Sequence, residues 1–329
     1  MSYLRDLADQ GWGDCTIYEV VEEFVKPLTA QTRESVAEYL LKDIKLKALV
    51  KRRADFFVSY AWSYTLNNII SALDSDNYKH AFIWFDAFVV NQHHKDKVDL
   101  DSFLHVFAGA IGEIGDLVMV VGPWESPTNV KRAWCVYEIL CTVEAGHVEK
   151  RVAMPATERE ALLRAAKSGQ LSHAKFLQIF ADVNVHRCEA KEQSDRDAIL
   201  KLIDGRPEVN DAVMQPLKKF YRMLLESAAA DATGKEADEL YSALGNLYQS
   251  LGDLSLAEEW LRRALEATRE AGVQGSTLGT RLNNLASCLW TQDSSSAEAA
   301  RLGREALGIA ERALGPKHPT TQQYRRDWG

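Results

Sequence analysis

Trp134 and Glu138 stand four residues apart in the run Ala133-Trp134-Cys135-Val136-Tyr137-Glu138-Ile139-Leu140, which reads as the start of a helix. At that spacing two side chains project from one helix face, so an indole and a carboxylate are expected to line the same cavity. A carboxylate there can steady a positive charge that grows in a transition state, and an aromatic wall keeps water out. Other groups carry less. His93 and His94 are neighbours that point apart, with no third ligand at helical or hairpin spacing, so no metal site is expected. Cys15, Cys135, Cys141, Cys188 and Cys288 are odd in number and scattered. They read as reduced thiols, with Cys135 and Cys141 as small core-facing residues. Arg132 sits at the start of the same helix, placed to pair with Glu125 on the surface or to hold an anionic phosphate.

The elements that must position Glu138 are legible as apolar runs. Phe56-Phe57-Val58 is apolar without alternation, as a parallel strand covered on both faces would be. Leu66 to Leu73 reads as a crossover helix, Ala81 to Val90 as a second strand, and Phe103 to Ile114 as a helix with Phe103, Val106, Phe107, Ala110, Ile111 and Ile114 at helical spacing. Asp116 to Val121 then reads as a central strand leading to the Glu138 helix, Arg151 to Pro155 as a fourth strand and Ala181 to Val185 as a fifth. Ser194 to Leu202 and Val209 to Leu225 read as closing helices. Alternating strands and helices specify a parallel sheet with helical crossovers, and such sheets place their sites at the carboxyl ends of the strands. Ahead of the sheet, residues 15–49 read as two helices broken near Lys26-Pro27-Leu28. The second carries a stripe of Val36, Tyr39, Leu40, Ile44, Leu46 and Leu49 that packs on the domain that follows.

Taken in order, Asp55-Phe56-Phe57-Val58-Ser59-Tyr60, Phe82-Ile83-Trp84-Phe85-Asp86, the helix Phe103 to Ile114 and the Trp-Cys-x-x-Glu-Ile helix resemble a TIR (Toll/interleukin-1 receptor) domain over roughly residues 50 to 205. The resemblance implies a flavodoxin-like α/β sheet and NAD as a substrate rather than a bound cofactor. It places Glu138 and Trp134 where enzymatic members carry their catalytic glutamate and its preceding tryptophan. It further implies that Ser59, Tyr60 and Trp62 line the nucleotide site and that Asp86 shapes the loop Asn91 to Lys97. That loop gates the pocket in the family and here lacks the glycine often found there. Self-association through this domain is implied as well.

Past residue 227 the grammar changes to helix pairs. Ala228 to Gly234 is small and polar, a linker. Beyond it Leu244, Asn246 and Leu247 recur as Leu282, Asn284 and Leu285 after 38 residues, and Ala257 and Ala264 recur as Ala299 and Ala306 after 42, the sign of a tetratricopeptide-type repeat. Together with Leu282-Asn283-Asn284-Leu285-Ala286 and Leu314-Gly315-Pro316-Lys317-His318-Pro319, that spacing resembles the kinesin-light-chain subclass. Two repeats fall short of the three or so that bury a continuous core, so the module is expected to lean on the TIR-like domain, on another copy or on a partner. Asn246, Asn283 and Asn284 are candidates either for a peptide-binding face or for hydrogen bonds between helices. The expected organisation is a helical lead-in (1–49), a TIR-like domain with a helical extension (50–227), the linker (228–234) and the repeats (235–329).

A net charge of −8 and an isoelectric point near 5.6 argue against a general nucleic-acid binder, which needs a basic face. Lys51-Arg52-Arg53 reads as a solvated flank. No run is long enough to span a bilayer and the N-terminus is no signal peptide, so a cytoplasmic location is expected. Three functions fit these residues: an NAD-cleaving enzyme of signalling or defence whose repeats bind a protein or drive assembly, a non-enzymatic adaptor, or a nucleoside hydrolase or transferase using the same glutamate.

Overall fold

The computed structural model describes residues 1–75, 78, 80–93 and 100–329. Two compact units account for them: Met1–Glu160 with Asp182–Leu217, and Ala161–Ala181 with Lys218–Gly329.

The first unit is built on a four-stranded parallel sheet of β1 (Phe56–Ser59), β2 (Ile83–Trp84), β3 (Asp116–Val120) and β4 (Glu149–Ala153), in the order β2-β1-β3-β4. Phe57 pairs with Trp84 on one side and Leu117 on the other, and Val118 pairs with Arg151. Every residue of β1 is buried, as its unbroken apolar run requires. The crossover helix α1 (Leu66–Ala72) starts in a capping box, Asn68 N–H to Thr65 Oγ1 and Thr65 N–H to Asn68 Oδ1, both 3.1 Å. Helix α2 (Leu100–Ile114) buries Leu104, Phe107 and Ile111, leaving Val106, an expected core position, on the surface. Helix α3 (Ala133–Ala145) carries Trp134 and Glu138 and stops at Gly146, whose φ of 70° suits a residue without a Cβ.

Three readings from the sequence are corrected. The expected strand Ala81–Val90 is a strand only at Ile83–Trp84. Asp86–Val89 is a helical turn, held because the Gln92 amide donates to the carbonyls of Asp86, Ala87 and Val90. The expected strand Ala181–Val185 does not form either. Helix α5 (His173–Asp182) runs through its start, and Asn184 caps the 3-10 turn Val185–Arg187 through His186 N–H at 3.0 Å. The apolar stripe of the lead-in ends early: helix Val36–Lys42 closes where the Asp43 carboxylate takes the N–H groups of Lys45 and Leu46, and Ile44 is left 84% exposed.

The lead-in shares one core with the sheet. Leu4, Leu7, Ile17, Val20, Val25 and Val36 are buried with Phe56, Val58, Ile69, Phe85 and Val120. Its backbone is stitched to the segment after β1: Ile17 N–H donates to Tyr64 O (3.0 Å), Tyr18 N–H to Trp62 O (3.3 Å), Leu66 N–H to Cys15 O (3.0 Å) and Asn67 N–H to Gly13 O (2.8 Å). Of the loop expected at Asn91 to Lys97, Asn91 donates to Arg33 O (2.7 Å) and the His93 ring meets Thr29 Oγ1 (2.8 Å), whereas residues 94–97 lie outside the described residues.

The second unit contains α8 (Gly234–Leu251), α9 (Leu254–Glu270), α10 (Ser276–Gln292), α11 (Ala297–Leu314) and α12 (Pro319–Trp328). They follow α4 (Ala156–Lys167), α5, α6 (Gln193–Ile203) and α7 (Pro207–Ala230) in the chain. The first helices of the two pairs start 42 residues apart. The 38-residue recurrence of Leu244 as Leu282 is therefore offset from the structural period by one helical turn, which keeps the same face apolar. Helix α7 runs through residues 228–230 of the expected linker. The support that two repeats need comes partly from residues 161–181 and 218–230. Phe180 packs edge-on to Tyr221, the Tyr248 hydroxyl donates to Glu226, and Asn246 donates to Leu171 O at 2.8 Å. Asn284 reaches Ser242 Oγ (3.5 Å) and Asn283 takes the Trp328 indole N–H (2.8 Å), so all three asparagines have partners inside the unit.

A buried ion cluster ties three repeat helices together. Arg281 on α10 meets Asp238 (2.6 Å) and Glu239 (2.7 Å) on α8, and Thr268 Oγ1 of α9 lies 2.7 Å from the same Asp238. Close approach elsewhere depends on missing side chains: a Cβ on Gly245 would come 2.5 Å from Leu261 Cγ. Gly245→Ala should therefore lower stability by about 1–3 kcal/mol through overpacking, despite the better helix propensity of alanine. Urea unfolding measures this, and a stabilised variant would show that α8 and α9 are not in close contact there.

Candidate functional site

The carboxyl end of the sheet gathers residues from three separate segments. β1 delivers Ser59, Tyr60 and Trp62, the turn after β2 delivers Asp86, and α3 delivers Arg132 at its cap, with Cys135 and Glu138 in its first two turns. Asp86 is the tie among them. One of its oxygens accepts the Tyr60 hydroxyl and its own neighbour's N–H (Ala87, 2.7 Å), and the other accepts the Trp62 indole N–H at 2.8 Å. Tyr60 stacks on Phe85 with ring centroids 4.7 Å apart, and the Cys135 thiol donates to the Tyr60 carbonyl at 3.3 Å. Burial pushes the Tyr60 hydroxyl and the Cys135 thiol up, so neither is ionised at neutral pH. Cys135 therefore acts as packing, not as a thiolate nucleophile.

Glu138 lies at the centre of this group, 6% exposed, with Oε2 lacking a hydrogen-bond partner among the described residues, and the buried Ser59 hydroxyl stands beside it. Burial raises the Glu138 carboxyl to about 8. The Ser59 hydroxyl opposes that rise, the Asp86 carboxylate adds to it, and the Arg132 guanidinium opposes it. A buried acid with an unused oxygen, in a cluster of polar groups at the carboxyl end of a parallel sheet, has the makings of a functional site.

Trp134 keeps different company. Its ring packs against Phe103, Phe107 and Tyr137 with centroids 5.8–6.4 Å away, and its indole N–H reaches Asp195 at 3.3 Å. It shares none of the contacts that join Tyr60, Trp62 and Asp86. The structure thus brings together Ser59, Tyr60, Trp62, Asp86 and Glu138, and seats Trp134 in the aromatic cluster against α2.

Two further residues complete the surroundings. Tyr18 of the lead-in meets the Trp62 ring edge-on at 5.4 Å, and the Arg132 guanidinium lies over the Tyr18 ring at 5.8 Å. Nothing in the pattern around Tyr18 marks it, because its place here comes from the backbone pairing of residues 13–18 with 62–67. Asn129, in the 3-10 turn Asn129–Lys131 ahead of α3, is fully buried with both side-chain polar atoms unpartnered. Among the described residues, no group of three or more His, Cys, Asp or Glu could hold a metal ion, and no helix is long and apolar enough to cross a membrane.

Residues 236–312 match the tetratricopeptide repeat family, which agrees with the helix pairs α8 to α11 and makes this part of the chain a protein-interaction module. No curated protein and no solved structure matches the chain.

The Glu138 proton has a consequence for stability. The unfolded chain releases it near the ordinary value of 4.5, whereas the folded chain holds it to about 8. The stability this group contributes is full below 4.5 and is lost as pH rises toward 8, at up to about 1.4 kcal/mol per pH unit. Glu138→Gln keeps the neutral shape at every pH. The stability of the variant relative to the parent should therefore climb between pH 5 and 8 and then level off. Urea unfolding across pH 5–9 checks this, and a difference that stays flat would mean the carboxyl ionises normally.

Proposed function

We propose that the sheet-bearing unit is a TIR-like NAD-cleaving hydrolase, with Glu138 as its catalytic carboxylate and the repeats as the module that binds a protein partner or drives assembly. The observation that carries this reading is the buried Glu138 carboxyl, with its unused Oε2, among Ser59, Tyr60 and Asp86 at the carboxyl end of β1.

Cleaving the nicotinamide–ribose bond needs little covalent machinery. The C–N bond breaks with its electron pair going to the ring, which departs as neutral nicotinamide; water then adds to the ribose carbon and gives up a proton to solvent, or, for the cyclic product, a nitrogen of the same molecule's adenine adds in its place. Positive charge spreads over that carbon and the ring oxygen on the way, and a carboxylate binding the ribose hydroxyls offsets it. Glu138 does this only when ionised, and the cationic pyridinium of NAD favours that form. Trp62, fixed by Asp86, offers an aromatic wall. Trp134 supports the helix that carries Glu138 and, on the family resemblance, stacks the leaving ring. The product is ADP-ribose or its cyclic form.

Nicotinamide release from NAD by the purified full-length chain tests the reading. Parent protein should release nicotinamide, faster than linearly with protein concentration if copies complete one another's sites, and Glu138→Ala should lose at least a hundredfold while remaining folded. Below pH 8, kcat/KM should rise about tenfold per pH unit and then level, following the Glu138 carboxylate. Turnover that survives in Glu138→Ala removes this residue from the chemistry. The family match on the repeats favours a second reading, a scaffold whose sheet-bearing unit self-associates. Complete silence toward NAD at every protein concentration and pH, together with self-association, would support it.

A further inference from the structure

We propose that Arg132, seated over the Tyr18 ring, is an anion anchor that takes the diphosphate of a dinucleotide whose ribose faces Glu138. The inference rests on the NAD-cleaving reading for the identity of the ligand, but its evidence is separate.

Arg132 is a half-buried guanidinium without a carboxylate partner among the described residues, although carboxylates stand near. Both oxygens of Asp86 are already taken, by Tyr60 and Ala87 on one side and Trp62 on the other. Glu138 leaves Oε2 unpartnered and has no hydrogen bond to Arg132. The cation instead rests on an aromatic face, at 5.8 Å from the Tyr18 centroid. A guanidinium held this way keeps its planar fork of donors free for a phosphate. It is also pre-positioned. Tyr18 is fixed by its own N–H to Trp62 O and by Ile17 N–H to Tyr64 O, and its ring by the edge contact with Trp62. Tyr18 is 43% exposed, so this rim of the site is open to a ligand. Arg132 is moreover the cap of α3, a helix of thirteen residues, whose positive end adds a favourable field for an anion held by the guanidinium.

Charge and distance agree with one ligand spanning both groups. Arg132 caps α3 and Glu138 stands six residues further on, about 1.7 turns or roughly 9 Å of helix rise, the scale of a ribose with its attached phosphates. Burial lowers the Arg132 pKa, but the groups around it (Cys135, Tyr18, Asp86 and Glu138) raise it by more, so it stays a full cation.

The test is calorimetric titration of ADP-ribose into the full-length chain, which reads binding and needs no turnover. Parent protein should bind, and Arg132→Gln should weaken binding at least tenfold with an unchanged thermal midpoint. Arg132→Lys, which restores the charge, should recover part of that loss. Tyr18→Ala truncates an exposed ring and should weaken binding several-fold by removing the platform. Parent protein that ignores ADP-ribose overturns the proposal, as does equal binding by the Arg132→Gln and Tyr18→Ala variants. A chain that binds ADP-ribose through Arg132 yet never releases nicotinamide would keep the anchor and lose the catalytic reading. A chain that releases nicotinamide with Arg132→Gln binding as well as the parent would do the reverse.

Discussion

A carboxyl group held away from water must be offset by its neighbours or give up its charge, and around Glu138 both responses are visible. The Ser59 hydroxyl and the Arg132 guanidinium lower its pKa, the Asp86 carboxylate raises it, and burial outweighs them, leaving a proton on the group up to about 8. Much of the first unit follows from holding that arrangement. Asp86 can stand close only because Tyr60, Trp62 and Ala87 satisfy its oxygens. Those donors come from the segment after β1, and the lead-in fixes that segment by pairing residues 13–18 with 62–67. A site with a raised acid at its centre is thus walled by chain that begins far upstream of the sheet.

The repeats obey a different constraint. Paired helices bury apolar faces through small residues such as Gly245, and the stack needs cover at its open side. Here residues 161–181 and 218–230 supply cover on the first repeat helix, and the Asp238–Arg281–Glu239 cluster joins the helices across the repeat boundary. Breaking such a buried pair by removing one partner costs about 3–5 kcal/mol, so the cluster also fixes which helices meet. The asparagines that suggested a peptide-binding face are used internally, which leaves partner recognition to other surfaces of the module.

Local sequence was a good guide wherever the local signal was strong. The unbroken apolar runs of β1 and β3, the helix that carries Trp134 and Glu138, and the recurring alanines of the second repeat helices all appear as read. It misled where a polar side chain within or beside the apolar run decided the outcome. Gln92 turned the end of the expected second strand into a helical turn, Asn184 capped a turn where a fifth strand was expected, and Asp43 stopped the lead-in helix before its apolar stripe was complete. In each case a single polar side chain satisfied backbone groups that the expected element would have paired otherwise.

The sequence by itself determined a parallel α/β sheet, a helix that brings a glutamate to the carboxyl end of that sheet, and a pair of helical repeats, because periodicity and turn chemistry act between near neighbours. Only the tertiary structure decided what surrounds that glutamate. It set Trp134 against α2 through Phe103 and Phe107, brought Asp86 and Tyr60 together, and placed Tyr18 of the lead-in beneath Arg132. The reason is physical: burial, ion pairing and the pKa of an acid depend on groups that meet in space, and here those groups come from segments more than a hundred residues apart in the chain.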